Sequence, residues 1–156
     1  MWRSLRVDLT GKRVYWEEVS PEEVAYGGRY RTGRLLLERE AYRVDPLSSE
    51  NPLVFAVGPL AGTGFSNANR TSVGARSPLT LGIKEANGGG TFGYALGQMK
   101  LSHLVLEGAS PDWVVLRITR EGQVFFDPAG DLLGLGNFQA AAKLFAAYGR
   151  RIAFAL

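Results

Sequence analysis

The sequence contains no cysteine, and this absence excludes several kinds of chemistry. Without a thiol the chain forms no disulfide, offers no thiolate nucleophile and supplies no ligand to a zinc–thiolate site. For the same reason we expect no iron–sulphur cluster on this chain. The single histidine, His103, begins an apolar run without the neighbours that a metal site or a catalytic base needs. We predict that it lies at the edge of a strand.

Long hydrophobic runs and clusters of like charge are also missing. No apolar run approaches the ~20 residues of a membrane span, and the N-terminus alternates charged and apolar residues, unlike a signal sequence. We therefore expect a cytoplasmic protein with no membrane partner. The net charge is only +3, and the basic residues are scattered along the chain, which argues against a nucleic-acid partner.

Lysine is scarce, because 14 of the 18 basic residues are arginine. Two interpretations remain open. The planar guanidinium group binds phosphate and carboxylate groups well, so the chain has the side chains for an anionic ligand. The other interpretation is a thermophilic or GC-rich source, in which arginine is simply abundant.

The N-terminal part of the sequence predicts a hairpin, a helix and a buried strand. Alternating residues indicate two strands joined at Gly11-Lys12. Ser20 is followed by proline and two acids, which is typical of a helix start. The run PLVFAV at residues 52–57 then has the continuous apolar character of a buried strand.

The C-terminal part repeats this order. A second hairpin is predicted around Glu121-Gly122, followed by a helix that begins at Asn137 and ends at Gly149. The final run RRIAFAL mirrors PLVFAV, so that Phe154 corresponds to Phe55. The repeat predicts an α+β fold in which two similar subdomains pack around a pseudo-twofold axis. Within one domain, 1–156, we expect subdomains at about 2–60 and 61–156, the second ending one loop early.

Three glycine-rich loops are the remaining candidates for a site: Gly27-Gly28-Arg29, the long segment after Gly58, and Asn87-Gly88-Gly89-Gly90. Successive exposed N–H groups form anion-binding concavities. Residues 93–100 are predicted to be helical, so the third loop directs the N–H groups of a helix start at an anion. The same ligand is predicted to receive charge-assisted hydrogen bonds from Arg29, Arg70 and Arg76. The alternative is that these glycines form tight turns only.

The order of several motifs resembles the N-terminal domain of the tungsten-dependent aldehyde:ferredoxin oxidoreductases. The motifs are DPLSSEN, GPLAGTG, SPLT and AN-x-GG, and the resemblance is collinear from about residue 2 to 156. It implies an α+β platform of two similar subdomains beneath a bis-pterin tungsten cofactor (tungstopterin). Enzymes of this family oxidise aldehydes to carboxylic acids and pass electrons through a [4Fe–4S] cluster to ferredoxin.

The resemblance also implies roles for individual residues. Arg70 matches an arginine between the pterin and the cluster, and Asn87 matches an asparagine whose backbone carbonyl helps hold the magnesium that bridges the pterin phosphates. Gly89 and Gly90 match backbone that faces the pterin, and Arg29 falls in a Gly-Gly-Arg-Gly loop. No catalytic residue is predicted. The full set of predicted cofactor-binding residues is Arg29, Arg70, Arg76, Asn87, Gly88, Gly89 and Gly90.

The resemblance implies a partner as well, namely a cysteine-containing helical subunit or domain of the same enzyme, through which ferredoxin is reached. A homo-oligomer is an open alternative. Three functions remain: the tungstopterin-binding platform of an aldehyde oxidoreductase, inactive alone; a non-catalytic pterin-handling or assembly protein of the same fold; and an unrelated β-rich interaction domain. The sequence does not distinguish tungsten from molybdenum.

Overall fold

The computed structural model describes all residues, 1–156, and divides them into two compact units, Met1–Ser110 and Pro111–Leu156. We call these the large unit and the small unit. The subdomain boundary expected near residue 60 falls inside the large unit. No helix of the structure combines the length and the apolar character that a membrane span requires.

The large unit is built on a six-stranded sheet. Its strands are β1 (Arg3–Asp8), β2 (Arg13–Glu18), β3 (Leu53–Val57), β4 (Arg70–Arg76), β5 (Ile83–Gly89) and β6 (Leu101–Glu107). Their order across the sheet is β2-β1-β6-β3-β4-β5. Neighbouring strands are antiparallel except for β1 and β6, which run parallel. The last of these six strands along the chain, β6, therefore lies in the middle of the sheet.

The predicted N-terminal hairpin is confirmed as β1 and β2. Its turn is fixed by Asp8, whose Oδ1 accepts hydrogen bonds from the backbone N–H groups of Thr10 and Gly11 at 3.0 and 3.1 Å. The other carboxylate oxygen accepts from Nε of Arg13 at 3.0 Å. An aspartate that bonds the backbone two residues further on stabilises a tight turn, so the register of the hairpin follows from this side chain.

Three helices accompany the sheet: α1 (Pro21–Ala25), α2 (Arg29–Glu38) and α3 (Thr91–Gln98). The predicted start of α1 is confirmed, because Ser20 Oγ accepts from the backbone N–H of Glu23 and the Glu23 carboxylate accepts from that of Ser20. Helix α2 packs on the sheet. Its Leu36 is fully buried in a core with Val54 and Val105, and each such side chain contributes about 1.5–3 kcal/mol.

Helix α3 lies unusually close to the chain that precedes it. A Cβ atom at Gly93 would stand 2.5 Å from the backbone oxygen of Asn69, and one at Gly97 would stand 2.1 Å from the carbonyl carbon of Ala61. The two glycines are four residues apart and therefore share one face of the helix. Their missing side chains let α3 pack against backbone, and this contact places the helix beside the start of β4 and the loop before it.

The small unit contains strands β7 (Val114–Ile118) and β8 (Val124–Pro128), a short 3-10 turn and helix α4 (Asn137–Tyr148). The predicted hairpin and helix are confirmed. Gly149 ends the helix with a φ of 83°, as expected for a C-terminal glycine. The helix is capped by Gly136, one residue before the predicted Asn137.

The prediction of two similar subdomains is not confirmed. The final run, residues 150–156, has no partner strand and forms no strand of its own. Phe154 is half-buried there and packs edge to face on Phe145 of α4, with 5.3 Å between the ring centroids, whereas Phe55 lies within β3. The α+β class is as predicted, but the sheets of the two units have six and two strands.

Candidate functional site

A cavity of about 400 Å³ opens where β4 begins, β5 ends and α3 starts. It is lined by Asn67, Asn69, Arg70, Gly89, Gly90, Thr91 and Tyr94. Three residues of the predicted set, Arg70, Gly89 and Gly90, therefore share one concave surface. We call this surface the β5–α3 cavity.

The register of β4 and β5 brings Arg70 and Asn87 together. Arg70 pairs with Gly89, and Ser72 pairs with Asn87, so the arginine and the asparagine are diagonal neighbours on one face of the sheet. Nε of Arg70 donates to Oδ1 of Asn87, and Nη2 donates to the Asn87 backbone oxygen at 3.2 Å. Both side chains are exposed, so the guanidinium group is accessible from solvent.

The glycine run is neither a simple turn nor a continuous loop. Gly88 and Gly89 are the last residues of β5, and neither has a positive φ. Only Gly90 does, with a φ of 132° that favours glycine. The strain that a positive φ would impose on a substitution is thus confined to Gly90. At Gly89 the effect of a side chain is different, because its Cβ would stand 3.9 Å from Nη1 of Arg70.

The predicted helix is confirmed as α3, although it begins at Thr91, two residues before the predicted start, with Gly90 as its N-cap. This cap provides no side-chain hydrogen bond, so the N–H groups of the first turn have no partner within the helix. Gly90 and Thr91 line the cavity. Together with the positive end of the helix dipole, this geometry suits an anionic group.

Arg29 has a carboxylate partner of its own. Its Nε donates to Glu85 at 3.0 Å, and Ser72 Oγ donates to the other carboxylate oxygen at 2.8 Å. The Ser72 hydrogen bond, with smaller contributions from Arg29 and Asn87, holds the pKa of Glu85 below its ordinary value. The charge of Arg29 is thus paired with that of Glu85, which lies two residues before Asn87 in β5.

Arg76 is not brought together with the other predicted residues. It ends β4 while Arg70 begins that strand, which separates them by about 20 Å at the usual rise per strand residue. The Arg76 side chain donates to the backbone oxygens of Leu81 and Val44, and its backbone N–H donates to Oδ1 of Asn51 at 3.0 Å. These contacts tie loops to the sheet.

Nowhere in the structure do three or more His, Cys, Asp or Glu side chains gather around one point. The backbone oxygen of Asn87 is the atom that the resemblance assigns to magnesium, and here it accepts from Arg70. His103 is buried in the central strand β6 and not at an edge as predicted. Burial, with Arg31 and Arg39 nearby, lowers its pKa to about 4, which keeps it neutral.

Four residues of the cavity were not named among the predicted binding residues: Asn67 and Asn69, which lie in the candidate segment after Gly58, and Thr91 and Tyr94. Asn69 has a second role, because its Oδ1 accepts from the backbone of Gly62 at 2.8 Å and so holds the preceding loop. Tyr94 follows Thr91 by three residues in α3, so both lie on the same face of the helix. The predicted helix, residues 93–100, did not include Thr91.

Comparisons with known proteins identify the family of this chain. A family model described as "Aldehyde ferredoxin oxidoreductase, N-terminal domain" matches residues 4–156. A tungsten-containing aldehyde ferredoxin oxidoreductase of Pyrococcus furiosus is 39% identical over 76% of this chain and 20% of its own length. The corresponding protein of Thermococcus kodakarensis is 39% identical over 90% of this chain and 24% of its own length.

A solved structure has the same fold over almost the whole of this chain. The active site complex BamBC of benzoyl coenzyme A reductase contains a chain that superposes on 96% of this one with a TM-score of 0.88 and 30% identity. This chain covers 23% of that chain. The protein thus spans about a fifth to a quarter of the length of the relatives it matches, and it belongs to the family of aldehyde ferredoxin oxidoreductase N-terminal domains.

Proposed function

We propose that this chain is the tungstopterin-binding platform of an oxidoreductase that converts aldehydes to carboxylic acids. The observation that carries the proposal is the convergence of Arg70 and the uncapped start of α3 on the β5–α3 cavity. An arginine side chain and free helix N–H groups are suited to phosphate. We assign tungsten to the cofactor because the relatives are named as tungsten-containing enzymes.

The residues present fit the anionic end of such a cofactor. Arg70 donates from a guanidinium group, and Gly90 and Thr91 present backbone at the cavity without side-chain caps. A magnesium ion would be held here by one backbone oxygen of this chain, that of Asn87, because no group of three or more His, Cys, Asp or Glu side chains gathers to bind it. When bound, the tungstopterin supplies the redox chemistry. The residues of this chain hold and orient its phosphates, and the chain itself offers no cysteine for an iron–sulphur cluster.

Inorganic pyrophosphate is a simple probe of the phosphate site. We expect calorimetric titration to detect its binding to the wild-type chain and a loss of about 10- to 100-fold in affinity in Arg70→Ala, the range for hydrogen bonds to a charged group. The melting temperature should hardly change, because Arg70 is exposed.

Arg13→Ala is the matched control. Arg13 is also an exposed strand arginine, but it lies in β2 at the opposite edge of the sheet. Its removal takes away the same charge and should leave pyrophosphate affinity nearly unchanged. The proposal fails if the wild-type chain does not bind pyrophosphate, or if Arg70→Ala and Arg13→Ala weaken binding equally.

A further inference from the structure

We propose that the Asn87 side chain is a positioning residue, which holds the Arg70 guanidinium group in a fixed orientation at the β5–α3 cavity before an anion binds. This inference rests on the proposed function, because it concerns the same anion site. It assigns to the Asn87 amide a role separate from that of the Asn87 backbone oxygen. The argument begins with the hydrogen bonds of Arg70.

Asn87 occupies one edge of the guanidinium group. Of the five N–H bonds of an arginine side chain, the one on Nε and one on Nη2 are directed at the side-chain and backbone oxygens of Asn87. Both N–H bonds of Nη1 and the second one of Nη2 remain free. Because two hydrogen bonds to one residue fix the plane of the group, the free edge has a defined direction.

Neighbouring strand residues leave that free edge uncovered. Nη1 lies 3.9 Å from the point where a Cβ of Gly89 would stand, and no atom occupies that position because the residue is glycine. A larger residue there would contact the donor that Asn87 has left free. Gly89 and Asn87 thus act on the same side chain in complementary ways, one by exposing it and the other by orienting it.

Glu85 lies two residues before Asn87 in β5 and on the same face of the sheet. Its carboxylate is fixed by Ser72 at 2.8 Å and by Arg29 at 3.0 Å. A carboxylate on this face attracts the NH₂ side of an amide, and this favours the orientation in which the Asn87 amide oxygen accepts from Arg70.

The advantage of this arrangement is entropic. An arginine side chain has many rotamers, and ordering them on binding weakens affinity. If Asn87 orders them beforehand, we expect Asn87→Ala to weaken pyrophosphate binding by roughly 3- to 10-fold, the range for immobilising one long side chain.

A double-mutant cycle tests whether Asn87 acts through Arg70. Pyrophosphate affinity is measured by calorimetry for the wild-type chain, Asn87→Ala, Arg70→Ala and the double variant. We expect Asn87→Ala to weaken binding only when Arg70 is present. Lys84→Ala, a neighbouring exposed residue of β5, is the control and should leave the affinity nearly unchanged. Equal losses in both backgrounds would mean that Asn87 contacts the anion directly, and would overturn the proposal.

A second readout needs no ligand. In ¹⁵N-edited NMR spectra we expect the Nε–H signal of Arg70 to exchange slowly with water in the wild-type chain and rapidly in Asn87→Ala. Rapid exchange in the wild-type chain would overturn the positioning role. Pyrophosphate binding that is lost in Arg70→Ala but unchanged in Asn87→Ala would overturn it while leaving the proposed function intact. A wild-type chain that binds no pyrophosphate would overturn both.

Discussion

Gly97 of α3 and Ala61 are packed backbone against backbone, since a Cβ at Gly97 would lie 2.1 Å from the Ala61 carbonyl carbon. Real Cβ atoms do not approach backbone this closely, so any side chain at Gly97 forces the helix away from the loop. The helix in turn presents Gly90 and Thr91 to the β5–α3 cavity. The geometry of the candidate site thus depends on a residue that does not line it.

We predict that Gly97→Ala destabilises the protein although alanine is the better helix former. Overpacking typically costs about 1–3 kcal/mol, which is larger than the gain in helix propensity of about 1 kcal/mol. Gly33→Ala is the matched control, because a Cβ on this exposed residue of α2 meets nothing within 4 Å. Chemical denaturation should show Gly97→Ala less stable and Gly33→Ala slightly more stable than wild type. A stabilised Gly97→Ala protein would contradict the packing.

Gly89→Val should weaken pyrophosphate binding without lowering stability. The residue belongs to β5 and has no positive φ, and valine is favoured in strands. Its side chain would contact Nη1 of Arg70 and hinder the approach of an anion. Gly88→Val, whose side chain would point to the other face of the sheet, is the control. Equal affinities for the two variants in calorimetric titration would argue against the site.

The buried histidine predicts a dependence of stability on pH. The pKa of His103 is about 4 in the folded protein, against an ordinary value of 6.5. Between these values the unfolded chain binds more protons, so the free energy of unfolding decreases as the pH falls from 6.5 to 4, by up to about 3 kcal/mol. Denaturation across this range should show the slope in the wild-type protein and a much weaker slope in His103→Gln. Parallel pH profiles for the two proteins would contradict the assignment.

Removing the hydroxyl group of Tyr148 should make local opening of helix α4 more frequent. The Tyr148 hydroxyl donates to Oδ2 of Asp127 at 2.9 Å, the same carboxylate that accepts from Arg117 at 2.6 Å. Tyr148→Phe removes a hydrogen bond that contributes about 1 kcal/mol. We expect the amide hydrogens of α4 to exchange about fivefold faster, since this free energy sets the opening equilibrium. Tyr26→Phe, at an exposed position in the large unit, should have no such effect.

The hairpins and helix ends could be predicted from the sequence because their signals are local. Ser20 and Glu23 cap α1 with their own side chains, and Gly149 ends α4 through its own backbone. The final run RRIAFAL shows the limit of this reasoning. Its residues favour a strand, but a strand also needs a partner to complete its hydrogen bonds, and residues 150–156 pair with no other strand.

The site was predictable only in part, because its geometry depends on contacts between residues that are distant in the sequence. The resemblance pointed to Arg70 and Asn87, which the structure brings together. The glycines after Asn87 were expected in a loop, because glycine is disfavoured in strands, yet pairing with β4 places Gly88 and Gly89 in β5. Glu85 as the partner of Arg29 was not predictable, since the two residues are 56 positions apart along the chain and no local pattern relates them.

The central position of β6 has a consequence for the synthesis of the protein. This strand is the last of the six to leave the ribosome, and it separates β1 from β3 in the finished sheet. Until residues 101–107 emerge, the nascent chain holds two unconnected sets of strands, each with an unpaired edge of the kind that leads to aggregation. A fragment that stops before Leu101 should therefore be prone to aggregate, and the shortest N-terminal fragment able to close the sheet must extend through Glu107.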